Sequence, residues 1–344
     1  MKKSVLYYPT INIKNNDWLK NALLYYDNIY SIVPADYDYD KFTPEIKYLF
    51  DENIYVPLDP QILLDDEIYP EFERELFKQL YKRREESDII KTIEPSFGIM
   101  RSIKLKECVW EFMQENNIVR RYFDKYSVMD VGYIKSITAL MAKYIAYIEN
   151  IKNLNEIIVP STDKTESFKY GFDGIYFQKK YISTLYKFMP TPFPNTPLER
   201  IIDFKNENKM ELINLRKVIT DYEKKISCCK DRSDIIYILN EFYEEMEYQI
   251  KTVDELLKKK KIQYYLTSLQ TVMNITVPSV LMSVTDIPVS LKALGVVANG
   301  AISLGICCVN SDYNKKDILL NSPVAYLYNA CNEGLIDINF WFYN

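Results

Sequence analysis

Apolar positions in the first sixty residues follow two alternating periods. Ser4–Tyr8, Asn28–Val33 and Ile54–Val56 are short, almost unbroken apolar runs bounded by turn residues, the pattern of buried strands. Between them, DWLKNALLYYD sets Trp18, Ala22 and Tyr25/Tyr26 on one face, and Pro44 opens PEIKYLF. Two helices are predicted there, the first with Asp17 as its N-cap. Strand, helix, strand, helix, strand implies right-handed βαβ units and a mostly parallel sheet. Two more strands are predicted at Glu156–Val159 and Tyr181–Phe188. Each of the five runs into proline, at Pro9, Pro34, Pro57, Pro160 and Pro190. Proline cannot continue a ladder, so each is read as a C-terminal strand end. In an open parallel sheet those ends line the edge where ligands bind.

The remainder reads as helix. Residues 70–150, from the charged EFERELFKQLYKRREE to the apolar YIKSITALMAKYIAYI, form a predicted helical insertion. The proline-rich PTPFPNTP then divides a 1–192 α/β domain from a 193–344 helical domain. Beyond it Leu198, Ile201, Lys205, Asn208, Leu212, Leu215, Ile219, Tyr222 and Ile226 step by threes and fours. Leu239, Tyr243, Met246, Ile250, Val253 and Leu257 repeat the pattern after a loop around Asp231 and Ser233. Heptad spacing of this kind predicts an antiparallel helical hairpin with arms of about 45 Å at 1.5 Å per residue. Lys205 and Asn208 interrupt the first seam, as register-fixing residues do. The expected fold is therefore α+β and helix-rich. It combines a small mostly parallel sheet domain carrying a helical insertion, a long antiparallel hairpin, and apolar C-terminal helices.

Those last helices come from 262–311, where two long uncharged stretches flank Asp286–Lys292. Lysines 258–261 and 315–316 would put both ends on one side of a membrane. The polar Gln263, Gln270, Asn274 and Pro278, and a second stretch near the lower length limit, favour buried helices instead.

Composition narrows the chemistry. The chain has no histidine, 43 Lys plus Arg, 48 Asp plus Glu and 8 glycines. Without histidine there is no Ser-His-Asp or Cys-His catalysis and no HExxH zinc site. No glycine falls into GxGxxG or GxxxxGK, so the common phosphate-cradling loops are missing. The mild acidity argues against a dedicated nucleic-acid module. Thirty tyrosines suggest base stacking, but with no basic patches between them an A/T-rich codon bias is the simpler cause. Six cysteines in two vicinal pairs and two singles form no CxxC, so reduced buried thiols are expected. The start lacks an apolar signal core, and a cytoplasmic protein is expected.

What chemistry remains sits beyond the strand-ending prolines. Asp36, Asp38 and Asp40 form D-x-D-x-D, but Lys41 and Lys47 stand where a calcium loop needs glycine and glutamate. A magnesium site is the surviving metal reading, against plain solvated carboxylates. Ser161, Thr162 and Asp163 follow the fourth strand and would share an edge with Thr10, Asp36 and Asp59. These six residues are the candidate ligand-binding set, for Mg²⁺ or a small polar ligand; ordinary turn chemistry accounts for the same residue types. Asp203-x-Lys205 has the spacing of a nuclease D-x-K but lies on the heptad helix.

Three stretches carry a resemblance: VLYYPTINI…DWLKNALLYYDNIYSIVP, LERIIDFKNENKMELINLR (198–216) and SPVAYLYNA. Together they resemble an uncharacterised family of bacterial proteins of unknown function. Phe204-Lys205 and Leu215-Arg216 stand where that family tends to show Phe-Arg pairs. The resemblance implies an association with anti-phage defence and no catalytic residue. The expected role is a non-enzymatic interaction or regulatory protein, acting on a protein partner or a second copy through the hairpin. The alternatives are an enzyme or sensor at the sheet edge, and a membrane-acting effector through 262–311.

Overall fold

The computed structural model describes residues 2–89, 96–123, 125–163, 189–229, 231–257 and 322–336. The predicted strand at 181–188 and the apolar stretch 262–311 lie outside them. The chain divides into two compact units, Met1–Ser183 with Pro194–Ile202, and Thr184–Phe193 with Asp203–Asn344.

The first unit is built on β1 (Lys2–Tyr7), β2 (Ile29–Ile32), β3 (Tyr55–Leu58) and β7 (Glu156–Ser161), an all-parallel sheet of order β3-β2-β1-β7. Helices α1 (Asn16–Tyr25) and α2 (Pro44–Asp51) join its first three strands, and the short α3 (Gln61–Leu64) follows β3. The cap of α1 is Asn15, whose side chain accepts from the Trp18 N–H at 3.0 Å, and Asp17 falls in the first turn. The central strands are buried on both faces, which is why they read as continuous apolar runs rather than alternating ones. One face carries Leu6, Tyr8, Tyr30, Ile32, Leu58 and Ile158, packed in a single core with α4 (Tyr69–Ile89) and α6 (Val131–Lys152). On the other, Tyr7 meets Trp18 of α1 at 4.7 Å and Tyr55 meets Phe42 edge-on at 5.4 Å.

The prolines divide into two kinds. Pro9 and Pro34 follow the central strands β1 and β2 and end them, as expected. Pro57 and Pro160 instead lie within β3 and β7, in register with Ser31 and Leu6. Both strands are sheet edges, where a residue without an N–H on the outward side costs no ladder bond. The Asn150 side chain pairs with both backbone groups of Ile158, at 3.0 and 2.7 Å, so the outward groups of β7 are satisfied beside Pro160.

The expected all-helical insertion is corrected. It holds α4, α5 (Glu107–Glu115) and α6, but also β4 (Phe97–Arg101), β5 (Val119–Tyr122) and β6 (Tyr126–Asp130). These strands make an antiparallel sheet of order β4-β6-β5, with a bulge between Val119 and Arg121. Strands this short, one of them bulged, do not sustain a period-two pattern long enough to displace a helical reading.

The second unit contains the hairpin. The heptad run is two helices rather than one, α7 (Leu198–Glu207) and α8 (Lys209–Cys228), broken at Asn208. Asn208 is buried; its amide donates to the Phe204 carbonyl at 3.0 Å and its Oδ1 accepts from Asn329 of α10 (Ala325–Asn332) at 2.7 Å. α8 spans 20 residues, about 30 Å, and α9 (Arg232–Leu257) spans 26, about 39 Å. Leu212, Leu215, Ile219, Tyr222 and Ile226 are buried with Ile235, Leu239, Phe242 and Met246. Phe242 is a buried seam position of α9, meeting Tyr222 at 5.1 Å. Among the described residues no helix is long and apolar enough to cross a membrane. No disulfide joins the described cysteines; Cys108 and Cys228 are exposed, against the expectation of buried thiols, because they sit on the outer face of α5 and at the end of α8.

At the N-terminal end of the parallel sheet, Glu156 is buried. Its carboxylate accepts from the Ser4 hydroxyl, from Asn28 Nδ2 at 3.0 Å, from the Tyr30 hydroxyl at 3.0 Å and from Asn153 Nδ2 at 3.4 Å. Burial, and then the Glu156 charge, push the Tyr30 phenol from 10.0 up to about 12. Because the folded phenol holds its proton more tightly than the unfolded one, this contribution is complete below pH 10 and lost as pH rises towards 12. Tyr30→Phe is expected to lower the unfolding free energy by about 1.5–3 kcal/mol and to flatten that alkaline limb. Urea midpoints measured across the pH range check both.

Candidate functional site

Strand order decides where polar residues gather. β1 leads to β2 on one side while β7 lies on the other, so the order in which strands are added reverses between β1 and β7, all of them remaining parallel. The C-terminal ends of strands flanking such a point open a crevice that binds ligands in doubly wound folds. Tyr7, Tyr8 and Thr10 leave β1 there, and Ser161, Thr162 and Asp163 leave β7, with Tyr7 and Ser161 in register.

Thr10 and Asp163, far apart in sequence, meet through a residue that the sequence reading passed over. The Tyr7 hydroxyl donates to Asp163 Oδ1 at 3.1 Å. Burial raises the Tyr7 phenol well above its ordinary value; the Thr10 hydroxyl beside it pulls the other way, and the Asp163 charge adds to the rise. Tyr7 thus stays protonated and donates its hydrogen bond at any physiological pH. Thr10 itself donates to the Asn12 carbonyl at 2.6 Å, and its own carbonyl accepts from Ser31 Oγ at 3.4 Å. The Ile11 carbonyl accepts from the Tyr55 hydroxyl at 2.8 Å, and Asn12 exchanges bonds with the Lys41 carbonyl and Thr43 N–H at 3.0 and 3.2 Å. The loop after β1 is tied at every step to the elements beside it.

Tyr8 points to the opposite face. Its hydroxyl is buried with no hydrogen-bond partner, and burial followed by the Asp163 charge raises its phenol strongly. An orphaned hydroxyl in such a place costs about 1–3 kcal/mol unless something pairs it. Among the described residues it is the buried side-chain group at this edge left without a partner. Alternating strands and turns hide such a residue in the sequence; the Tyr7-Tyr8 doublet at a strand end was the available signal.

Asp36 and Asp59 are not gathered there. Asp36 pairs with Arg101 at the end of β4 at 2.6 Å. Asp59 accepts from the Gln61 N–H at 2.9 Å, a turn bond that opens α3. Asp59 follows β3, three strands from β7, roughly 14 Å away by strand spacing alone, so it cannot share an ion with Asp163. Asp38 accepts from the Asp40 N–H at 3.1 Å, and Asp40 lies 3.5 Å from Lys47. The D-x-D-x-D string is turn chemistry. Among the described residues no group of three or more acidic or cysteine side chains could hold a metal. Thr162 is buried, Ser161 half-buried.

These features define an α+β protein with a doubly wound parallel sheet and a hydroxyl-lined switch point. A model described as a family of unknown function (DUF6236) matches residues 134–334, more than half of the chain, and the chain belongs to that family. The match takes in most of α6, β7 with Ser161–Asp163, and the helices of the second unit. No curated protein and no solved structure matches.

Tyr8→Phe deletes only the unpaired hydroxyl. In ligand-free protein it is expected to leave stability unchanged or raise it by about 1 kcal/mol, as read from the thermal midpoint. A fall of that size would mean the hydroxyl already has a partner.

Proposed function

We propose that the chain is a non-enzymatic regulatory protein that takes a small polar ligand at the sheet edge between β1 and β7. The observation that supports it is that Asp163, bonded to the Tyr7 hydroxyl on one face, also acts electrostatically on the Tyr8 hydroxyl, which is buried on the other face without a partner among the described residues. A ligand suited to these groups carries a hydroxyl or amine for the Asp163 carboxylate and an acceptor for Tyr8. The lack of histidine in the chain leaves no side chain with an ordinary pKa near neutrality to act as general base. Magnesium suits this edge only with one carboxylate and water or ligand oxygens around it, as that ion tolerates. Thermal-shift titrations with magnesium chloride, ribose and glucosamine test the proposal. One of them is expected to raise the midpoint of wild type and to lose most of that effect in Asp163→Asn. Equal, flat responses from both proteins would sink it.

A second reading rests on the hairpin, as a surface for a protein partner or a second copy. Met210 and Ile213 on α8 and Tyr237 and Tyr248 on α9 are large apolar side chains left exposed beyond the filled seam. Light scattering across a range of concentrations is expected to show self-association that Met210→Glu with Ile213→Glu abolishes, or pull-downs a partner lost with the same pair. The proposed setting is anti-phage defence, which the sequence resemblance supports. Phage plating on cells expressing wild type is expected to fall at least about tenfold relative to Asp163→Asn.

A further inference from the structure

The three-stranded antiparallel sheet has one buried and one open face. Met100, Ser127 and Met129 turn inward and are buried, and Tyr122, in register with Ser127, packs against Trp110 at 5.9 Å. Alternation puts Phe97, Ile99 and Arg101 of β4 on the other face, in register with Asp130, Val128 and Tyr126 of β6. Arg121 joins them opposite Val128. Phe97, Ile99, Phe123 and Tyr126 are all exposed, with Ile99 at 68%. So many large apolar groups on one small sheet face mark a binding surface.

Among the described residues, the charges of this face that have no ion-pair partner are all positive. Arg120, Arg121 and Lys125 are exposed, with no ion-pair partner among the described residues. The bulge at Arg120 returns its guanidinium to the open face, 4.0 Å from the centre of the Phe97 ring. The acids nearby are already engaged: Asp36 with Arg101 at 2.6 Å, and Asp130 with Arg83 at 3.4 Å and the Gly132 N–H at 2.8 Å. A basic, aromatic face thus stands out on a chain whose formal charge is −5. Phe123 and Tyr126 lie 4.7 Å apart at the β5–β6 turn, placing a second aromatic platform at the other end of the face from Phe97 and Arg120.

We propose that this face binds single-stranded nucleic acid. Aromatic rings and a guanidinium offer stacking planes for unpaired bases, while Arg121 and Lys125 contact the phosphates between them. Paired bases have no free plane to stack on these rings, so a duplex gains chiefly the charge contacts. The surface was invisible as a sequence motif because its residues come from β4 and from a hairpin twenty residues later. Only strand pairing interleaves the rings with the arginines.

Fluorescence anisotropy with labelled oligo(U) and oligo(dT) of about 12 nucleotides, within the range of single-strand sites, tests it on the full chain. Both strands are expected to bind saturably at low salt, and the two arms show whether RNA or DNA is preferred. A duplex of equal length is expected to bind at least about tenfold more weakly. Phe97→Ala with Tyr126→Ala is expected to weaken binding about tenfold or more while leaving its salt dependence unchanged. Arg121→Gln with Lys125→Gln is expected to lower the slope of log affinity against log salt by roughly 1.4, at about 0.7 per phosphate contact on a single strand. All four residues are exposed, and the milder Tyr126→Phe, which keeps the ring, is expected to bind as wild type does. Absence of saturable binding, equal affinity for the duplex or for anionic phosphatidylserine vesicles, or unchanged binding by both double variants would overturn the proposal.

Discussion

A single buried carboxylate aligns the parallel sheet. Glu156 opens β7 and draws donors from β1, from the residue before β2, and from β2 itself. A buried charge without such donors would be expelled or neutralised, because desolvation costs several kcal/mol. The donors come from β1 and β2 and the carboxylate from β7, so it is satisfied only when these three strands lie in one register. That register sets Tyr7 beside Ser161 at the far end, where the Tyr7–Asp163 bond forms. The polar network at one end of the sheet thereby determines the polar edge at the other.

The sheet margins follow from the same economy of hydrogen bonds. Central strands cannot lose a donor, and their prolines stand outside the ladder. Edge strands can, and Pro57 and Pro160 occupy them. Asn150 then pairs with the outward backbone groups of Ile158, which leaves β7 a poor template for another strand. In the second unit the buried Asn208–Asn329 bond plays a comparable part, since a polar pair in an apolar layer is satisfied in one alignment and unpaired in others.

The two polar surfaces of the first unit have different chemistry. The switch-point edge is rich in hydroxyls, with one carboxylate and one orphaned donor, and suits a small molecule able to enter. The open face of the antiparallel sheet is wide, aromatic and basic, and suits an extended polyanion with exposed bases. Asp36, counted from the sequence among the residues of the first surface, is held by Arg101 at the border of the second.

The sequence by itself determined most elements of the parallel sheet, the hairpin and the types of chemistry excluded. These depend on local properties: apolar period, proline, heptad spacing and the missing imidazole. Phe242, a buried position of α9, was missed because an apolar doublet such as Phe242-Tyr243 leaves the phase of a heptad open by one residue. The antiparallel sheet was missed because its strands are short and bulged, so that their pairing, not their pattern, makes them strands. Thr10 and Asp163 were legible as site-like residues, but Tyr7 and Tyr8 looked like core, and Asp59 looked equivalent to Asp163. Only the tertiary structure separated them, since strand order fixes distance across a sheet and burial decides which hydroxyl is left without a partner. Neither quantity is a property of a residue and its neighbours along the chain.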